Sequence, residues 1–147
     1  MLPALLRLAA PLALLGTMTV VVMSADRLPG PIAARVVEVI DGDTMVVRAH
    51  IWLDQLVETK IRLLGVDAPE KRSSCPEERE RAAAAERFVR NMVNSREVQL
   101  RDIRYDKYGG RVLARIQTMD GTDLGETLIR HGLARTYEGG KRFSWCS

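Results

Sequence analysis

Two β-branched runs flank an Asp-Gly-Asp sequence in residues 35–49, which read RVVEVIDGDTMVVRA. Valine and isoleucine suit a pleated, half-buried surface, and Asp-Gly supplies the geometry of a tight turn. The segment therefore predicts a β-hairpin. A third run, VETKIRLLGV at residues 57–66, is also typical of a strand. Three successive strand patterns indicate that the folded domain begins with a β-sheet.

A helix is predicted after the third strand. Pro76 suits the first turn of a helix, where its missing N–H costs nothing, and the acidic residues after it favour the positive end of the helix dipole. Across residues 76–95, apolar side chains recur at helical spacing, which predicts one buried face. The residues of that face are Ala85, Phe88, Val89, Met92 and Val93.

Two further strand patterns follow, EVQLRDI at residues 97–103 and RVLARIQT at residues 111–118. Asp123 and Glu126 then form a capping box, which predicts a short helix that continues through Arg130. The order is three strands, a helix, two strands and a helix. It predicts a mainly β fold with α (α+β), a five-stranded barrel of the oligonucleotide/oligosaccharide-binding (OB) type with packed helices.

Residues 8–25, LAAPLALLGTMTVVVMSA, carry no charge. A stretch of this length fits a secretory signal or a minimal membrane-spanning helix. Met23 stands where a cleavage site prefers a small residue, so a cleaved signal and a retained anchor both stay open. A buried core helix is a third alternative, which Pro11 and Gly16 disfavour. An N-terminal apolar helix, signal or anchor, is therefore expected.

These sequence patterns predict three parts of the chain and indicate that the folded part lies outside the cytoplasm. Residues 1–25 are the signal peptide or membrane anchor, which would hold the protein at the membrane through residues 8–25 if it is not cleaved. Residues 26–34, which contain two prolines and a glycine, are expected to be a linker. Residues 35–147 are expected to form the barrel domain.

The chain has two cysteines, Cys75 and Cys146. In an oxidising compartment a lone pair of cysteines is most simply a disulfide. Such a bond would fix a C-terminal tail that otherwise frays. The alternative is a pair of buried thiols.

The net charge of +3, from 22 basic and 19 acidic residues, permits a polyanionic partner but does not identify one. More informative are the charged side chains that break the hydrophobic pattern of the predicted strands. They are Asp41, Asp43, Arg62, Asp67, Glu70 and Arg111. Taken singly, each is explained by a turn, a loop or the solvent face of a strand. Together, they offer carboxylates for a hard cation, two guanidinium groups for a phosphate and a glutamate to act on water. That combination suits in-line attack on a phosphodiester.

Four sequence blocks resemble the staphylococcal nuclease (thermonuclease) family. They are VIDGDT at residues 39–44, IRLLGVDAPE at 61–70, YDKYGGRVLA at 105–114 and LIRHGLA at 128–134. The blocks occur in the family's order, and the resemblance covers residues 35–137. It implies a five-stranded barrel with packed helices and a calcium-dependent endonuclease that cleaves DNA and RNA to 3′-phosphate ends.

The resemblance also implies a metal site and its ligands. Asp43 and Asp67 would bind one Ca²⁺ through their carboxylates, and Ala68 would bind it through its backbone carbonyl. The familiar residue at the position of Ala68 is threonine, and a carbonyl ligand survives that change. Asp41 would lie behind these ligands.

The other site residues are carried over in the same way. Arg62 and Arg111 would hold the scissile phosphate, and Glu70 would act on the attacking water as its general base or its orienter. Lys107 and Tyr108 would contact a terminal phosphate.

The chain also departs from the family pattern. Gly109-Gly110 adds a residue before Arg111, which could shift that guanidinium group. The tail ends where a long third helix would otherwise follow, and a Cys75–Cys146 bond could take over the role of that helix.

The first functional hypothesis is an exported or membrane-anchored nuclease that acts as a monomer. The alternative is a catalytically inactive OB-barrel module that binds nucleic acid or an anionic polysaccharide at the cell envelope. A third possibility is a membrane-tethered accessory protein. An inactive relative is expected to have lost some of the side chains that would bind the metal, the phosphate and the water. All five are present, which favours the enzyme: Asp43, Arg62, Asp67, Glu70 and Arg111. The aromatic content of 5% also disfavours the stacking platforms of single-strand binders.

Overall fold

A computed structural model describes residues 26–146 of the chain. Its helices and strands, in chain order, are β1 Arg27–Leu28, β2 Ile32–Val39, β3 Thr44–Trp52, β4 Gln55–Leu63, β5 Val66–Asp67, α1 Pro76–Val93, β6 Glu97–Tyr105, β7 Val112–Thr118, α2 Leu124–Arg130 and β8 Arg135–Thr136. The expected signal or anchor at residues 8–25 lies outside the described residues. Within residues 26–146, neither helix has the length and apolar character needed to span a membrane.

Five of the strands close into a barrel. Strands β2, β3 and β4 form an antiparallel meander, β4 pairs in parallel with β7, and β7 pairs with β6. Strand β6 also pairs with β2, which closes the ring. The predicted five-stranded barrel with packed helices is therefore confirmed.

The barrel interior takes an aliphatic side chain from each of its five strands. Val36, Val47, Ile61, Leu100 and Ile116 are at most 2% exposed. Burying a side chain of this size stabilises the fold by about 1.5–3 kcal/mol. The alternation of inward and outward residues that marked these segments in the sequence therefore corresponds to the wall of the barrel.

Helix α1 covers part of the barrel with a stripe of small and β-branched residues. Ala82, Ala85, Val89 and Val93 are fully buried on its inner face. Of the predicted face, Phe88 and Met92 lie at its margin, half-buried against the same core. Helix α2 starts at the predicted N-cap, where the Asp123 side chain accepts a hydrogen bond from Glu126 N.

The structure differs from the expected linker at residues 26–34. Strand β1 pairs with β6 through Leu28 and Ile103, and β2 already begins at Ile32, which faces Leu100. Prolines cannot donate to a strand ladder, but here they only separate two short pairings. The sequence around the prolines has only a weak strand pattern, although residues on both sides of them pair with β6 in the sheet.

Candidate active site

The turn between β2 and β3 presents Asp43. Ile40 N and Asp41 N both donate to Thr44 O, at 3.0 and 3.1 Å. The Asp41 carboxylate accepts from Asp43 N at 3.1 Å, an Asx-type bond that shapes the turn. Burial and the nearby Asp43 carboxylate raise the pKa of Asp41 to about 6. Negative charge is therefore concentrated at this end of the barrel.

Gly42 lets this turn pack tightly against its surroundings. A Cβ atom on Gly42 would lie 2.7 Å from Ala85 Cβ in α1 and 3.1 Å from Ala68 Cβ. Such distances leave no room for a side chain. The glycine therefore brings Asp43 close to the segment that follows β5.

Arg62 reaches Asp43 through the register of the barrel. It lies on β4 opposite Thr44, so Asp43 is its near neighbour across the ladder. Arg62 Nη2 is 3.5 Å from Asp43 Oδ2 and 4.0 Å from Asp67 Oδ1. Asp43 Oδ2 also accepts from Ala68 N at 3.1 Å. The arginine is therefore balanced by two carboxylates that are almost completely buried.

Asp67 is held at the junction of two short strands. It lies on β5, opposite Arg135 of β8. Asp67 is 4% exposed, and its Oδ2 accepts from the indole Nε1 of Trp145 at 3.3 Å. The guanidinium group of Arg142 contacts Oδ1. The C-terminal tail thus supplies two of the donors to this carboxylate.

Arg142 connects three acceptors at once. Besides Asp67, its guanidinium group donates to the carboxylate of Glu70 and, at 2.9 Å, to the backbone carbonyl of Ala68. Burial by itself would lower the pKa of Arg142, but the hydrogen bonds to Glu70 and Asp67 outweigh it and raise that pKa. The side chain is therefore a permanent cation at the centre of the site.

The position of Glu70 is fixed through its backbone. Glu70 N donates to the Glu78 carboxylate of α1 at 2.9 Å. Cys75, the N-cap of α1, forms a disulfide with Cys146, with the two Cα atoms 6.2 Å apart. The segment that carries Glu70 and the C-terminal tail are thus both attached to the first turn of α1.

A cavity of about 710 Å³ opens in front of these groups. Its lining includes Arg62, Glu70, Lys107, Tyr108, Arg111 and Arg142. The sequence-predicted arginines, the glutamate and the two loop residues are therefore brought to one cavity. Asp43, Asp67 and Ala68 lie behind its wall, in contact with Arg62 or Arg142.

Arg111 keeps a place on the cavity despite the extra glycine before it. Gly109 and Gly110 both have positive φ, 66° and 65°, a conformation that glycine adopts without strain. Arg111 Nε donates to Asp106 Oδ2. Burial would raise the pKa of Asp106, but the hydrogen bond and charge of Arg111 lower it below the ordinary value. Asp106 therefore stays ionised and orients the guanidinium group.

The oxygen atoms behind the cavity suit a hard divalent cation. Two carboxylates, Asp43 and Asp67, and one backbone carbonyl, Ala68, are the kinds of ligand that such ions take. Asp67 and Ala68 O already accept from a cationic group, the guanidinium of Arg142. These oxygen atoms therefore fit a metal ion for two reasons: they are of the kind that hard cations bind, and two of the groups already accept from a cation, the Arg142 guanidinium.

Comparison with known proteins identifies the family of the chain. The model of the family described as "Staphylococcal nuclease homologue" matches residues 60–144, more than half of the 147-residue chain. The chain belongs to the staphylococcal nuclease family. It is similar to a protein of Escherichia coli named "Uncharacterized endonuclease", with 31% identity over 73% of this chain and 62% of the relative. It also resembles a probable endonuclease of Schizosaccharomyces pombe, with 33% identity over 54% of this chain and 36% of the relative. The chain thus spans less than two thirds of the length of either relative.

Several residues of this staphylococcal nuclease domain carried no sequence signal of their own. Arg142 and Trp145 lie in the tail KRFSWC, where only Cys146 indicated attachment to the domain. Asp106 lies in the YDKYGGRVLA motif, where the sequence indicated roles only for Lys107, Tyr108 and Arg111. Glu78 looked like one of several acidic residues at a helix start. Each acquires its role from contacts made across the fold.

Proposed function

We propose that the chain is a calcium-dependent nuclease that hydrolyses phosphodiester bonds of DNA and RNA and leaves 3′-phosphate ends. The main support is one cavity lined by Arg62, Glu70 and Arg111, with the Asp43 and Asp67 carboxylates buried directly behind it. Membership of the staphylococcal nuclease family and the names of the two endonuclease relatives support the same reaction class.

In this proposal Asp43, Asp67 and the carbonyl of Ala68 bind one Ca²⁺. The choice rests on an all-oxygen donor set, which suits Ca²⁺ better than a transition metal. When bound, the ion neutralises negative charge that develops on the phosphate oxygens during attack.

The side chains of the cavity perform the remaining tasks. Arg62 and Arg111 bind the non-bridging oxygens of the scissile phosphate through their planar N–H groups. Glu70 accepts a proton from the attacking water, whose oxygen forms the new bond to phosphorus. The bond from phosphorus to the 5′ oxygen breaks, and that oxygen takes a proton from solvent. Lys107 and Tyr108, on the loop beside Arg111, bind a terminal phosphate.

The same proposal includes an extracytoplasmic site of action. Residues 8–25 would direct export, either as a cleaved signal or as a retained anchor. The Cys75–Cys146 disulfide fits this placement, because such bonds persist in oxidising compartments. The protein would act there as a monomer on free nucleic acid.

The test is digestion of supercoiled plasmid and of single-stranded RNA by the purified full-length chain, with Ca²⁺ or with a calcium chelator. We expect cleavage only with Ca²⁺, and fragments that a polymerase extends only after phosphatase treatment. Glu70→Gln is expected to lower the rate by at least about 100-fold, the scale of general-base catalysis. Glu80→Gln, an exposed glutamate on α1, is the matched control. Wild-type digestion by Glu70→Gln would contradict the mechanism, and binding without cleavage would favour the non-catalytic module.

A further inference from the structure

The cationic group at the centre of the site belongs to the protein itself. Arg142 donates to Asp67, to the carbonyl of Ala68 and to Glu70. The first two are groups that the proposed function assigns to the metal ion, and the third is the group that it assigns to the attacking water. With Arg142 in this position, Asp67 and the Ala68 carbonyl already hold a cationic group, and the carboxylate that must accept a proton is already bonded.

A guanidinium group and a divalent cation cannot both occupy the same position beside the oxygen atoms of Asp67 and Ala68. Both are attracted by the buried carboxylate of Asp67, so the two cations compete for a single region of negative potential. Since Arg142 stays charged at all physiological pH values, deprotonation cannot remove it. The site therefore becomes available to a metal when the side chain moves away.

The tail that carries Arg142 is attached to the domain on both sides of the site. Trp145 is 7% exposed, and its indole N–H donates to Asp67. The guanidinium group of Arg135 lies over the Trp145 ring, with its central carbon 3.7 Å from the centre of that ring. Cys146 is bonded to Cys75 at the start of α1. A group held this close to its acceptors has a high effective concentration, which strengthens it as a competitor.

A second cavity beside the site offers space for the Arg142 side chain. Arg142 and Glu70 line the main cavity and a second cavity of about 520 Å³, whose lining includes Phe143 and Trp145. The guanidinium group therefore borders open space on the side of the tail. It can withdraw from Asp67 and Ala68 while the disulfide stays intact.

We propose that Arg142 is a tethered competitor of the divalent cation, which holds the site closed until metal displaces it, and that the Cys75–Cys146 bond strengthens the competition. This inference rests on the proposed function, because it takes Asp67 and Ala68 as metal ligands. It assigns the tail a regulatory role at the same site: metal affinity is set by the fraction of molecules in which Arg142 has moved away.

The experiment measures Ca²⁺ binding to the full-length chain by isothermal titration calorimetry, without nucleic acid. Arg142→Gln is expected to tighten Ca²⁺ binding about tenfold, which corresponds to a site that is open in about a tenth of the molecules. Lys141→Gln is the matched control, because it removes the same charge from the adjacent, exposed residue. The control is expected to change the affinity less than about twofold, as for an exposed charge screened by solvent. Circular dichroism and the unfolding midpoint verify that each variant is folded.

A second arm tests the disulfide. Replacing both cysteines by serine is expected to tighten Ca²⁺ binding and to reduce the further gain from Arg142→Gln, since coupled changes are not additive. A full tenfold gain in the serine background would overturn the role of the disulfide. An Arg142→Gln affinity equal to or weaker than that of the Lys141→Gln control would overturn the competition itself. If Ca²⁺ binds neither wild type nor Arg142→Gln, or binds Asp67→Asn as tightly as wild type, the proposed metal site fails instead.

Discussion

Arg62 Nη2 lies 3.5 Å from Asp43 Oδ2, and both side chains are largely shielded from solvent, 14% and 7% exposed. An arginine on a barrel strand is thereby explained: it neutralises a buried carboxylate and at the same time borders the cavity. The pair joins the stability of the barrel to the geometry of the site, because removing Arg62 leaves the buried carboxylate of Asp43 without its cation.

Replacement of Arg62 is therefore expected to affect stability as well as activity. Arg62→Ala leaves Asp43 buried without its cation and is expected to lower the free energy of unfolding by about 3 kcal/mol. Arg48→Ala breaks the exposed pair with Glu58, whose side chains are 49% and 53% exposed, and is expected to cost less than about 1 kcal/mol. Urea unfolding of both variants measures the difference. Equal costs would mean that burial of the Arg62 pair has no energetic effect.

A side chain at Gly42 is expected to push the turn between β2 and β3, which carries Asp43, away from α1. Gly42→Ala would place its Cβ 2.7 Å from that of Ala85, and such overpacking typically costs about 1–3 kcal/mol. Nuclease activity is expected to fall with it, because Asp43 is displaced. The second substitution Ala85→Gly removes the closer of the two contacts and leaves only the one with Ala68 Cβ at 3.1 Å, so the double variant is expected to recover part of the activity lost in Gly42→Ala. A double variant no more active than Gly42→Ala would contradict Ala85 as the main obstacle and leave the contact with Ala68 as the steric cause.

The parts of the fold that could be predicted are those with a local sequence pattern. The alternation in β2–β4, Pro76 at the start of α1 and the Asp123 cap of α2 are signals confined to a few neighbouring residues, and each is confirmed. The expected helix at residues 76–95 ends at Val93, with Asn94 as its C-cap. The segment 26–34 has the composition of a linker, and its strand pairings could not be predicted because they depend on β6, which is distant in the sequence.

The site could be predicted only where it follows sequence motifs. Arg62 and Arg111 come to one cavity because β4 and β7 are parallel neighbours, a relation that the family resemblance carries with it. Arg142 could not be predicted, because its place depends on the path of the tail after β8. That path is determined by burial of Trp145 and by a disulfide to α1, neither of which is a local property of the sequence.

Asp106 is expected to act as a positioning residue for Arg111. Asp106→Ala removes the acceptor of Arg111 Nε and leaves that guanidinium group free to rotate. If Arg111 binds the phosphate most strongly during attack, kcat is expected to fall at least about tenfold while KM changes little. Asp120→Ala, an exposed aspartate in the turn after β7, is the control. An unchanged kcat in a folded Asp106→Ala protein would exclude the positioning role.

Stability is expected to fall in acid partly through Glu86. Burial would raise the pKa of Glu86, but the hydrogen bonds and charges of Lys71 and Arg90 outweigh it and lower the pKa below its ordinary value of 4.5. A lowered folded-state pKa contributes stability above pH 4.5 that is lost as pH falls through the folded-state pKa. Glu86→Gln is therefore expected to cost about 1 kcal/mol at pH 7 and to flatten the decline of stability below pH 4.5. Urea unfolding from pH 7 to pH 3 checks this, with Glu80→Gln as the control on the same helix. A decline as steep as that of wild type would contradict the assignment.

Loss of the disulfide is expected to destabilise the domain far more than loss of either tail contact. The bond joins cysteines 71 residues apart, and closing a loop of that length is worth about 4 kcal/mol through the entropy of the unfolded chain. Changing both cysteines to serine is expected to lower the free energy of unfolding by up to that amount, and a dithiol reductant is expected to bring wild type to the same value. Trp145→Phe, which removes the indole N–H bonded to Asp67 and one ring of a buried side chain, is expected to cost about 2 kcal/mol in the oxidised protein. If the unfolding midpoint of wild type were the same with and without reductant, the tail would be held by its noncovalent contacts alone.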